Sequence, residues 1–128
     1  MTAKIAQEVE TIDQIANWFM TWVFQSLTVE ARLQAEVNHI LQASNYEFMR
    51  EYILDHRSRL DFYLSETRFG IEVKVDSRVN QVMRQVHRYN GYSQVSGIIL
   101  ITSRAKHTSI PSELNHKPVR VVFIGGIQ

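Results

Sequence analysis

With 128 residues, 45% of them hydrophobic and 21% charged, the chain has the size and make-up of one globular domain with room for a sizeable core. It carries no cysteine, which excludes disulfides, iron–sulfur clusters and thiolate zinc sites. The net charge of +1 conceals an asymmetry: residues 1–49 hold six carboxylates against two basic side chains, and residues 50–128 hold twelve basic against seven acidic.

The first residues, MTAKIAQEVETID, are polar with helical spacing, unlike a signal peptide. The most apolar run, Trp18 to Phe24, falls short of the roughly 20 residues of a membrane span. A soluble, cytoplasmic protein is therefore expected. Residues 5–27 read as a long helix, because Ile5, Val9, Ile12, Ala16, Phe19 and Val23 step by four and three. Ile15, Trp18 and Trp22 widen that stripe so far that a second buried surface is expected, within the domain or against another subunit, and a homodimer through this helix or an exposed part of the sheet is predicted. A second helix is predicted from an N-cap at Thr28 to about Ser44–Asn45, with Val29, Leu33, Val37, Ile40 and Leu41 inward. Glu30 and Glu36 flank that apolar face on opposite sides.

Tyr46 to Leu54 reads as a strand, followed by a turn at Asp55–Ser58. A hairpin comes next, Arg59 to Val75, with Gly70 in its turn region. Period-two alternation puts Leu60, Phe62 and Leu64 on one side of its first strand, and Ile71, Val73 and Val75 on one side of its second. Asp61, Tyr63, Glu72 and Lys74 then share the opposite face. A helix capped by Asp76 or Ser77 should run to Asn90–Gly91, burying Val79, Val82, Met83 and Val86. Gly97 to Thr102 is apolar enough for a strand covered on both faces. A polar loop leads to a last strand, Val119 to Ile124. The order predicts an α/β sandwich around a mixed sheet.

Two carboxylates and an ammonium on one hairpin face suit a divalent cation, since magnesium needs only one or two carboxylates beside water and phosphate. An interstrand salt bridge on the surface is the plainer alternative. Between Ser77 and Ser112 there is no carboxylate, while Arg78, Arg84 and Arg88 lie on the following helix, a sign that would attract phosphates. The five histidines lack close ligand spacing, and Gly125-Gly126 precedes no helix that would make a nucleotide loop.

Asp61, then Glu72-Val73-Lys74 between apolar strand residues, resembles the PD-(D/E)XK nuclease superfamily. Gln85 and Tyr89 on the next helix resemble the QxxxY element of RecB-type exonucleases, and the spacing to Glu36 is similar to that in archaeal Holliday-junction resolvases. The likeness covers roughly residues 28–125 and implies a restriction-endonuclease-like αβββαβ core (residues 28–128), preceded by an extra N-terminal helix (residues 1–27) in a single domain. It implies that Asp61, Glu72 and the Val73 carbonyl bind Mg2+ or Mn2+ and that Lys74 assists the attacking water. Glu36 is favoured as the additional acid from the first core helix, with Glu30 its competitor and Glu51 a weaker candidate. Gln85 and Tyr89 would contact substrate or orient the lysine and water. Leu60 stands where many members have proline. The expected activity is metal-dependent hydrolysis of DNA, directed by DNA structure, ends or a partner protein; RNA hydrolysis would share the same motifs. An inactive binding or assembly module is the alternative, against which the intact carboxylates speak.

Overall fold

The computed structural model describes residues 2–125, with side chains from residue 11 onward. Helix α1 (Thr2–Met20) ends well before the predicted position 27. The amide of Thr21 bonds to the Trp18 carbonyl, and that of Trp22 to Phe19, closing the last turn with three-residue spacing. Further on, the Glu36 carboxylate captures the amides of Gln25 (3.0 Å) and Ser26 (2.6 Å), so those donors are not spent on a helix. The broad apolar arc of α1 is consumed inside the domain: Ile12, Ile15, Ala16 and Phe19 are buried, and Trp18 packs on Phe19 and Tyr46. What remains exposed is the turn after it, Met20, Trp22 and Val23. The expected contributions of Ile5 and Val9 lie outside the described side chains.

Helix α2 (Glu30–Gln42) starts after Val29 with no side-chain cap, so Thr28 does not serve as one. It is followed by β1 (Phe48–Asp55), β2 (Ser58–Leu64) and β3 (Phe69–Lys74), an antiparallel meander. Helix α3 (Val79–Tyr89) carries the chain across to β4 (Gly97–Thr102), which pairs in parallel with β3. Neither predicted residue caps α3, whose N-cap position is Arg78 with no side-chain bond: Asp76 pairs instead with Arg104 at 3.0 Å, and the Ser77 carbonyl accepts a bond from the buried His107 ring at 2.7 Å. The polar loop contains a 3-10 turn (Ala105–Ser109) and a short strand, β5 (Glu113–Leu114). Asn115 and His116, both at positive φ (54° and 66°), turn it back into β6 (Lys117–Phe123).

The sheet order is β1-β2-β3-β4-β6-β5. On one side α1 and α2 cover Phe62, Leu64, Ile71, Val73, Ile99, Ile101 and Val122. On the other, α3 covers Tyr63, Ile98, Leu100 and Val119 through Val82, Val86 and Tyr89. Every residue of β4 is buried, as expected of a strand with helices on both faces.

One expectation fails informatively. Leu60 does not share a face with Phe62 and Leu64; it packs with the α3 cluster. Its methyl groups lie over Gly70, where an added Cβ would come within 2.8 Å of Leu60 Cδ2 and 2.8 Å of Ile98 Cδ1. Alternation is therefore broken at Asp61. Directly across, Glu51 of β1 adopts φ 51°, an unusual left-handed conformation for a non-glycine residue within a strand. The β2–β3 ladder likewise stops at Phe62↔Ile71, one pair short of Asp61 and Glu72.

Candidate functional site

The opening between β2 and β3 is filled by two carboxylates that replace the missing ladder bonds. The amide of Asp61 donates to Glu72 Oε2 at 2.7 Å, and the amide of Val73 donates to Asp61 Oδ2 at 2.8 Å. Each acid thus caps the backbone of the other strand. Lys74, two residues beyond Glu72, brings its Nζ to 4.0 Å from Glu72 Oε1, and both side chains are largely sheltered from solvent. The plainer alternative, an exposed interstrand salt bridge, does not describe this arrangement.

Burial foremost, and then the charge of Asp61, push the Glu72 carboxyl up to about 8, against the Asp61 amide and Lys74, which pull it down. Burial also raises Asp61, opposed by the Val73 amide, Lys74 and the side chain of Gln34 on α2. Ionised together, two buried acids side by side would carry more negative charge than one lysine balances, so a bound cation would favour their ionised form.

Helix α2 settles which of its glutamates is near. Glu30 feels the charges of Lys74 and Asp61 and takes a hydrogen bond from the Val75 amide, while burial raises its carboxyl. Glu36, favoured from sequence, lies elsewhere. Its carboxylate holds the Gln25–Ser26 loop, and although burial pushes it upward, those hydrogen bonds outweigh burial and leave it below the usual range. Spacing to Asp61 along the chain misled because the loop folds back onto α2 at the Glu36 turn.

Helix α3 contributes from the opposite side. Gln85 Nε2 donates to Tyr89 Oη at 2.9 Å, and Tyr89 Oη donates to the Arg59 carbonyl at 3.3 Å, two residues before Asp61. Burial and the charge of Glu72 raise the phenol to about 12, so it remains a donor at neutral pH. Arg88 lies against the Tyr89 ring and bonds Ser58 Oγ at 3.1 Å, at the start of β2. Arg78 and Arg84 border an open depression of about 540 Å³ along α3. Glu51, across from Asp61 on β1, is exposed and pairs with Arg59 at 3.9 Å. A further cluster without sequence signal ties Tyr92 to Asp55 and Ser58 at the same end of β2.

Among the described residues, no group of three or more His, Asp or Glu side chains is arranged to enclose a metal by itself. Two adjacent carboxylates nevertheless fit an oxygen-loving ion that retains most of its water, Asp61 giving up its bond from Gln34 or sharing that oxygen. No described helix is long and apolar enough to cross a membrane. No family model, curated protein or solved structure matches the chain.

Proposed function

We propose that this chain is a Mg2+- or Mn2+-dependent DNA nuclease with a single restriction-endonuclease-like domain. The observation that carries this reading is the reciprocal Asp61–Glu72 pair in the opened hairpin, with Lys74 beside it. Support for the fold comes from the element order and the mixed sheet between α1/α2 and α3.

In this reading Asp61, Glu72 and the Val73 carbonyl hold the ion. When bound, a divalent cation supplies Lewis acidity toward the phosphate and lowers the pKa of water. The Lys74 ammonium holds the attacking water and offsets charge building on the phosphoryl oxygens. Glu30, whose carboxyl burial raises, would in its ionised form hold water or accept a proton near Lys74. Tyr89, by its bond to the Arg59 carbonyl, fixes the bend of β2 that presents Asp61, and Gln85 fixes Tyr89. Arg78 and Arg84 contact phosphates along the strand, and Arg88 steadies β2 through Ser58. Substrate choice comes from DNA structure, ends or a partner protein rather than from base sequence, and a homodimer would bring two such sites together.

The test is incubation of supercoiled plasmid, linear duplex, single strand and four-way junction with Mg2+, Mn2+ or EDTA. Cleavage of at least one substrate is expected with either metal, and none with EDTA or with Glu72→Ala. Absence of cleavage on every substrate, by a folded protein, sinks the reading.

A further inference from the structure

Beyond Lys74 the chain runs into a groove at the carboxyl ends of the parallel strands. Its first chamber, about 580 Å³, lies between Val75 and Asp76 after β3, Ser103 and Arg104 after β4, and the side chains of Leu27 and Phe123. A second chamber of about 370 Å³ shares Leu27, Phe123 and Gly125 with the first and ends at the exposed Met20–Trp22–Val23 turn. Both volumes lie in the range of small-ligand pockets. The groove begins where the acid pair ends, because Val75 follows Lys74 directly and its amide binds Glu30.

The walls carry the chemistry of a nucleotide subsite. Arg104 Nε donates to the Val75 carbonyl at 2.8 Å and Nη2 to Asp76 at 3.0 Å. An arginine has five N–H donors, so this fixed guanidinium keeps others for a phosphate, and Asp76 is already paired. Ser103 also lines the first chamber, and its Oγ lies just beneath the wall with no hydrogen-bond partner, within reach of a ligand after a rotation of the side chain. Phe123 is held edge-on by Gly125, where a Cβ would lie 2.6 Å from the ring, and Trp22 stands 40% exposed at the far end. The Arg104–Asp76 pair leaves these walls without net charge, so the attraction for a strand rests on the spare guanidinium donors and on aromatic rings, on which unpaired bases stack. A base stacked within a duplex must first be unpaired and flipped out, at about a few kcal/mol, to enter either chamber, a cost that an unpaired base does not carry.

We propose that this groove binds the single-stranded DNA segment next to the cleaved phosphate, one unpaired nucleotide per chamber, with Arg104 on a phosphate and Phe123 and Trp22 under the bases. The proposal rests on the nuclease reading and names its substrate class: DNA with an unpaired end or flap.

The experiment is binding of hexathymidylate, and of a blunt hairpin duplex of the same length, to the full chain in EDTA, read by tryptophan fluorescence and by anisotropy of labelled DNA. Single strand is expected to bind at least about tenfold more tightly than duplex, with Arg104→Gln and Phe123→Leu each weakening it by about tenfold. Trp22→Phe should remove most of the fluorescence change. Ser103→Ala supplies a second, gentler variant of the wall should Phe123→Leu fail to fold, and it should weaken binding severalfold. Equal affinity for duplex, or wild-type affinity in folded Arg104→Gln and Ser103→Ala proteins, overturns the proposal. So does a dimer that dissociates on Trp22→Ala while oligonucleotide affinity stays unchanged, since the Trp22 face then belongs to a second copy. Single-strand binding that follows the expected pattern without cleavage in Mg2+ upholds the groove and removes the nuclease reading. Duplex cleavage untouched by Arg104→Gln and Phe123→Leu does the reverse.

Discussion

Replacing Glu72 by glutamine should stabilise the metal-free protein at alkaline pH and leave it little changed at acid pH. Burial first, and Asp61 second, raise the folded-state carboxyl from 4.5 to about 8. Between those values the folded chain keeps a proton that the unfolded chain has released, so stability falls as pH rises through that window. At about 1.4 kcal/mol per pH unit, the span bounds the cost at about 5 kcal/mol by pH 8, and Asp61, which titrates with it, takes a share. Glutamine keeps an oxygen for the Asp61 amide, preserves volume and removes the charge. Urea unfolding in EDTA at pH 5 and pH 8 measures this directly. The wild type should lose several kcal/mol between the two, and Glu72→Gln should lose much less. Added Mg2+ should restore wild-type stability most strongly at pH 8, where ionising the pair costs most. Equal pH slopes for the two proteins would refute the claim that the acid pair is buried and mutually repelling.

Other substitutions separate neighbouring roles. Glu30→Gln should lower cleavage at least about tenfold with little change in folding, whereas Glu36→Gln should cost about 1–2 kcal/mol of stability and leave cleavage near wild type, because Glu36 holds only the loop amides. Measured cleavage rates and urea midpoints decide between them. Tyr89→Phe should cost about 1 kcal/mol through the lost Arg59 contact and reduce Mn2+ affinity as Asp61 loosens, which a calorimetric titration would show. Gly70→Ala should destabilise by about 1–3 kcal/mol in thermal melting, since its Cβ would lie 2.8 Å from both Leu60 and Ile98.

Much of this was written in local pattern. The apolar run of β4 announced a strand covered on both faces, and the buried Val82 and Val86 followed from helical spacing. Asp61, Glu72 and Lys74 were brought together as strand parity suggested, yet by a different geometry. Parity assumes an unbroken ladder, and here the ladder opens: Glu51 bends β1, Leu60 crosses to the α3 side, and the two acids bond across strands. Such a break depends on partners far apart in sequence and leaves no periodic trace. The same limit governed α2, where both glutamates flank the apolar stripe and only the return of the 21–29 segment onto Glu36 distinguishes them. Helix α1 stops short of its predicted length although its apolar character continues through Trp22 and Phe24, residues that the turn places outside any helix.

The most direct test is the rate of DNA cleavage by Lys74→Ala in saturating Mg2+, on the substrate the wild type cuts fastest. Lys74 approaches Glu72 at 4.0 Å in the opening where the water would be activated. Loss of its ammonium should slow cleavage at least about 100-fold while the protein remains folded and still binds Mn2+. A folded Lys74→Ala protein that cuts at the wild-type rate would contradict the account.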